Sequence, residues 1–149
     1  MMKIVSAALL CVMLSLTLCS CASHIEDTNG EDDYSLCTLT DEDIIDGTTT
    51  LLQGSASNKR NDRGEMSANK FTGVETVDSI NVRDAAEKVT FTATVESGNF
   101  RAVIIKDGEI YADLKIDGTK DSITLTESGK YELKIAGESA CFSIEYKIK

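Results

Sequence analysis

A chain of 149 residues has room for one domain together with an export signal and a tether, and little else. Its formal net charge is −10, and it contains five Cys, one His and no Trp. An acidic chain without a dense run of bases lacks the footprint of a nucleic-acid binder. A single His at position 24 leaves the rest of the chain without a Ser–His–Asp or Cys–His site.

Met1-Met2-Lys3 is a short basic start, and Ile4 to Leu18 is uncharged and mostly apolar, as an export signal requires. Leu18-Cys19-Ser20-Cys21 follows. This segment resembles the lipobox of bacterial lipoprotein precursors, with Leu three residues before the cut, a small residue just before it, and then Cys. The resemblance implies cleavage after Ser20, diacylglyceryl transfer to the Cys21 thiol, and a mature chain held on the extracytoplasmic face of a bacterial cell membrane. Two or more acyl chains, palmitate among them, anchor stably where one binds only marginally. Two other readings remain open: plain secretion, because Ser20-Cys21-Ala22 also fits a small-x-small cleavage site, and an uncleaved apolar helix. Lipidation is favoured because position, apolar run and motif agree. Cys19 is a poorer acceptor, since bulky Leu18 would sit at the cut.

Acidity is concentrated behind the anchor. Ala22 to Gly47 carries nine acids and neither Lys nor Arg, whereas Lys70 to Lys149 carries eleven bases against fourteen acids. Residues 21–33 are acidic and nearly free of apolar groups, so they read as a disordered tether. Residues 34–69 read as an irregular segment and loop. Within them, Tyr34 to Leu39 has strand character, and Thr40 with Asp43 resembles a helix N-cap whose helix Gly47 cuts short. Residues 54–69 lack periodicity and almost any large apolar group, which predicts a flexible loop. The run Lys59-Arg60-Asn61-Asp62-Arg63 is short and interrupted by an acid, so no basic cluster is expected there.

Residues 70–149 read as a β-sandwich domain. Val89, Phe91, Ala93 and Val95 alternate with Thr90, Thr92 and Thr94, the pattern of a half-buried strand. Phe100 to Ile105 is apolar on both faces and reads as a central strand. Asp107-Gly108 predicts a tight hairpin, with Ile110, Ala112, Leu114 and Ile116 as the core face beyond it. Residues 117–121 read as a loop before a short strand at Ile123 and Leu125. Turns at Glu127-Ser128-Gly129 and Ala136 to Ser139 bracket Tyr131, Leu133 and Ile135, and Phe142, Ile144, Tyr146 and Ile148 close the chain. With weaker strands near 71–74 and 76–82, about seven short strands result, an all-β antiparallel sandwich behind the signal peptide and acidic tether. The Gly129–Ile135 run before a final strand resembles small immunoglobulin- or jelly-roll-like modules of secreted Gram-positive proteins. That likeness implies a fold and no activity.

Cys141 falls on the outer face of the last strand with Ser143, Glu145 and Lys147, where a thiol has little packing value. A disulfide to Cys37 would strap the 34–39 segment to the domain; the alternative is two unrelated thiols. No Cys-x-x-Cys follows Cys21, and two Cys with a distant His make a poor zinc site. Asp41, Asp43, Asp46 and Gly47 misplace the glycine of a calcium loop, and Asp117-Gly118 with Asp121 is only an echo of one. Neither a metal nor a cofactor is expected. Tyr111 is the one strand aromatic expected to face outward, a point for surface contact. The expected role is a non-enzymatic binding module for a protein or envelope component, with no nucleic-acid partner. An enzyme or calcium-dependent module with a loop-borne site, or a purely structural envelope component, are the alternatives.

Overall fold

The computed structural model describes residues 38–149; the expected signal peptide and tether, with Cys21 and Cys37, lie outside the described residues. A short helix, α1 (Asp41–Asp46), precedes seven strands: β1 (Leu51–Gln53), β2 (Ala56–Arg60), β3 (Arg63–Val82), β4 (Glu87–Lys106), β5 (Glu109–Leu114), β6 (Asp117–Leu125) and β7 (Gly129–Ile148). All pairings are antiparallel. The main path runs β1-β3-β7-β4-β5, with β2 also on β3 and β6 also on β4.

The expected all-β antiparallel sandwich is present, built in an economical way. Its strands are not uniformly short: β3, β4 and β7 each run for 20 residues. Their registers slip together at one level, between Ala68 and Gly73 on β3, Val95 and Asn99 on β4, and Gly137 and Phe142 on β7, and β3 slips once more against β7 between Thr76 and Asp78. Extra residues at such bulges bend a strand and sharpen its twist. Gly98 carries φ +77 there, and a Cβ on it would overlap the backbone of Ser139. One sheet thereby folds over on itself into two layers. The first layer is β2, the start of β3, the end of β7, the start of β4, and β6. The second is β1, the end of β3, the start of β7, the end of β4, and β5.

Between the layers lies one apolar cluster. Met66, Ala68, Phe91, Phe142 and Ile144 come from the first layer, and Phe71, Phe100, Ile104, Leu133 and Ile135 from the second. Phe142 sits at the bend, edge-on to Phe71 at 5.6 Å and tilted against Phe100 at 4.6 Å between ring centroids. Such aromatic contacts add to the area that burial removes from water.

The outer side of the second layer is apolar beneath α1, which is why Ala102 to Ile105 has no polar face and Arg101 stands at its margin. Val74, Val103, Ile105 and Ala136 are covered by Ile44 of α1, which has no exposed surface. The helix starts as the sequence predicts. Thr40 and Asp43 form a reciprocal capping box, and Gly47 ends it. Its last turn has no base of its own. Buried Lys134 of β7 supplies one, its Nζ donating to the carbonyls of Ile44 (3.4 Å) and Ile45. Arg101 of β4 adds a second fastening, reaching Asp41 at 2.6 Å and Asp113 through two hydrogen bonds of 2.6 and 3.2 Å. Asp113 first, then Asp41, raises the guanidinium well above its ordinary value.

Several local expectations are corrected. Residues 56–60 and 63–69, read as loop, form a hairpin across a two-residue turn, with Asn61 at φ 33. The apolar signal is missing because Gly64 faces the interior beneath the Tyr146 ring, which fills the space a larger side chain would take. Residues 117–121 likewise open β6 rather than a loop. Thr38 to Thr40 are not in a strand, and the rest of the 34–39 segment is outside the described residues. The hairpin at Asp107 (φ 52) and Gly108 (φ 81) is as expected. Beyond it, however, a register shift opposite Ile104 and Ile105 splits the predicted core face. Leu114 joins the main core, while Ile110 packs with the α1 cluster.

Candidate binding face

α1 covers the part of the second layer's outer face around Val103, Ile105 and Ala136, beside a smaller recess of about 210 Å³ at Ile45, Lys130 and Glu132, while among the described residues nothing covers the outer face of the first layer. Strand pairing arranges its side chains in rows. One row is Asn58, Glu65, Glu145, Thr92 and Lys120 across β2, β3, β7, β4 and β6. The next, toward the bend, is Ala56, Ser67, Ser143, Thr94 and Asp117. On the other side lies Arg60, Arg63, Lys147, Thr90 and Ser122. The threonines at 90, 92 and 94 therefore stand on the solvated side of their strand, as their alternation predicts.

This face is recessed. A trough of about 350 Å³ lies over Asn58, Ser67, Thr94 and Ser143. A second, of about 600 Å³, lies over Arg63, Lys88, Lys120, Lys147 and Lys149. The two share Glu65, Thr92 and Glu145 as walls, so they form one continuous depression. Glu65 and Glu145 stand directly opposite each other on β3 and β7, a like-charge pairing that costs stability. Neither takes part in an ion pair among the described residues.

At the margin of the face, β2 is tied to the interior. Lys59 donates to Oδ1 of buried Asp78 at 2.5 Å, and the same oxygen accepts the Ser79 N–H at 2.7 Å. The Tyr146 hydroxyl is pushed well above its ordinary value, first by burial and then by the Asp78 carboxylate. This seal fixes the edge of the trough.

The remaining sequence candidates lie elsewhere. Tyr111 is 37% exposed, but its ring packs edge-on against buried Tyr131 at 5.2 Å, so it is half wall and half surface. Cys141 is half-buried at the bend, with Sγ 3.4 Å from Glu96 Oε2; burial first, and then Glu96, raises its thiol. Asp43 is occupied in the α1 cap. Asp117 accepts from Thr119, and Asp121 from the N–H groups of Lys115 and Ser122. Among the described residues no three metal-ligating side chains converge.

Reading along the chain missed the basic corner. Arg60, Arg63, Lys88, Lys120, Lys147 and Lys149 come from five strand segments and the C-terminal residue, and no linear run announces them. The signal was available only as parity, once β2, β3 and β7 were placed side by side.

Fold and face together define an antiparallel sandwich with one outer surface largely covered by a helix and the other open among the described residues. No family model and no curated protein matches the chain. Among solved structures it is similar to PliG of Aeromonas hydrophila, a periplasmic lysozyme inhibitor of g-type lysozyme. Identity there is 20% over 64% of this chain and 86% of that one, with a TM-score of 0.36. It is also similar to TmCBM61, solved in complex with β-1,4-galactotriose, at 9% identity over 83% and 99% of the two chains and a TM-score of 0.44. A protein of unknown function (DUF1255) from Acidithiobacillus ferrooxidans matches at 15% identity over 76% and 99%, with a TM-score of 0.27.

Proposed function

We propose that this protein is a lipid-anchored, extracytoplasmic, non-enzymatic binding module that engages its partner through the open face of the first layer. The observation that carries the reading is the asymmetry of the two outer surfaces. One is largely covered by α1, which Lys134 and Arg101 hold in place, and keeps only a small recess of about 210 Å³ at Lys130 and Glu132. The other is a recessed grid of hydroxyls, amide and charges that no element of residues 38–149 covers. A recess lined by convergent polar groups is the usual form of a recognition site.

Anchoring rests on the Leu18-to-Cys21 pattern. Sixteen residues, 22–37, separate Cys21 from Thr38. They allow a reach of at most roughly 55 Å. Thr38 lies beside Glu138 at the bend, and α1 lies on the second layer.

The test is in-cell cross-linking of the full chain, with a photo-reactive side chain at Thr92 or Ser143 on the open face, or at Glu42 on α1. Partner adducts are expected from positions 92 and 143 and not from 42. Adducts from Glu42 alone would move the binding surface to the other layer and overturn the reading.

A further inference from the structure

Six of the chain's fifteen bases, in a protein of net charge −10, line one end of the open face. Arg60, Arg63 and Lys147 stand in register on three adjacent strands, like charge opposite like charge. Lys88 and Lys149 are neighbours too, exchanging backbone hydrogen bonds of 2.6 and 3.0 Å. One carboxylate serves this group: Asp62, 3.8 Å from Arg63 and 3.5 Å from Lys147. Among the described residues, Arg60, Lys88, Lys120 and Lys149 have no acid within ion-pair distance. Cross-strand pairs of like charge are unfavourable and invite a counter-charge from outside.

Resting on the open-face reading, we propose that the occupant of the trough is an anionic polysaccharide, its charged groups seated on Lys88, Lys120, Arg63 and Lys147. Its hydroxyls meet the side chains that continue the face toward the bend: Thr90, Thr92 and Thr94 as donors or acceptors, Glu65 and Glu145 as acceptors. A sugar chain carries charge at intervals with hydroxyls between, and so suits a face whose cationic end gives way to carboxylates and hydroxyls. Nucleic acid suits it poorly. Its unbroken phosphate run would cross the Glu65–Glu145 pair, and single strands need aromatic platforms; the one aromatic at this trough, Tyr146, is buried. A second copy of the chain fits poorly as well, because two recessed faces meet only at their rims.

The experiment measures binding of the full-length mature protein to hyaluronate and gellan, whose charged sugars are separated by neutral ones, to uncharged dextran and to single-stranded DNA of similar length. Both anionic polysaccharides should bind, more weakly as salt rises, and dextran should not. The exposed pair Lys88→Ala/Lys120→Ala should weaken binding about five- to tenfold, the factor two exposed charge contacts supply. Arg83→Ala/Lys115→Ala, an equal charge change elsewhere, should leave it within about twofold. Thr92→Met, which removes the hydroxyl and fills the centre of the trough without adding charge, should weaken it as well. Equal binding to dextran that Thr92→Met abolishes would overturn the anionic ligand and leave the open face standing. Polysaccharide binding that none of the face variants affects would overturn both. Tighter binding to DNA than to either anionic polysaccharide, or binding to none of the polymers, would overturn the polysaccharide.

Discussion

Thr38 and Glu138 are joined across 100 residues of chain, the Thr38 N–H donating to Glu138 Oε2 at 3.1 Å and the Thr38 hydroxyl to Oε1. This contact brings the chain just after Cys37 to a point three residues before Cys141. In an oxidising compartment the expected consequence is a Cys37–Cys141 disulfide. Closing a loop of roughly 100 residues contributes up to about 4.7 kcal/mol on the chain-entropy account. Non-reducing peptide mapping of the mature protein should recover the two peptides joined, and reduction should lower the melting temperature by several degrees. Full alkylation of both thiols in unfolded, unreduced protein would show that the bond is absent.

The anchor is tested at its acceptor. Cys21→Ser should abolish incorporation of labelled fatty acid and stop maturation at that position. Label retained by this variant, with membrane attachment surviving an alkaline wash, would sink the lipoprotein reading.

The covered face depends on one apolar side chain. Ile44 is fully buried against Val74, Val103, Ile105 and Ala136. Ile44→Ala should destabilise the domain by about 2–5 kcal/mol, the range for a buried Ile reduced to Ala. For a domain of this size, that lowers the midpoint by roughly 4–8 °C per kcal/mol. Ile45→Ala, on a less buried neighbour, should cost clearly less, and equal losses would refute the packing account.

Acid should loosen the N-terminal segment before the core. The Glu138 carboxyl lies below its ordinary range because Thr38 and then Asn99 donate to its charged form. Thr40 does the same for Asp43 in the α1 cap. A carboxylate whose folded pKa is depressed stabilises the fold fully above its unfolded pKa. That stability is lost as pH falls through the folded pKa. Hydrogen exchange around residues 38–46 should therefore rise below the ordinary carboxylate range while the β4–β7 pairing stays protected. Glu138→Gln with Asp43→Asn should flatten that dependence; an unchanged profile would show that other groups set it.

Much of the fold is legible in sequence because its central strands obey simple period-2 rules. Val89, Phe91, Ala93 and Phe142, Ile144, Tyr146 alternate into the core, Asp107-Gly108 marks its hairpin, and Thr40 with Asp43 marks α1. The hairpin of β2 and the start of β3 was hidden because two of its three inward residues, Gly64 and Ala68, are small and accommodate the aromatics of β7, leaving Met66 as its one large apolar group. The bend was hidden for another reason. Register slips depend on three strands yielding together, and no single segment records that. The binding face suffered most, since Arg60, Lys88, Lys120 and Lys147 become neighbours only through pairing, while the short basic run at 59–63 by itself signals little.

The position of β7 governs when the molecule can fold at all. It lies between β3 and β4 in both layers, and it is the last element of the chain. Until residues 129–148 are available, β3 and β4 have no common neighbour, and neither half of the sandwich can close. Structure formation is therefore a single late event dominated by distant pairings, which are intrinsically slow to form.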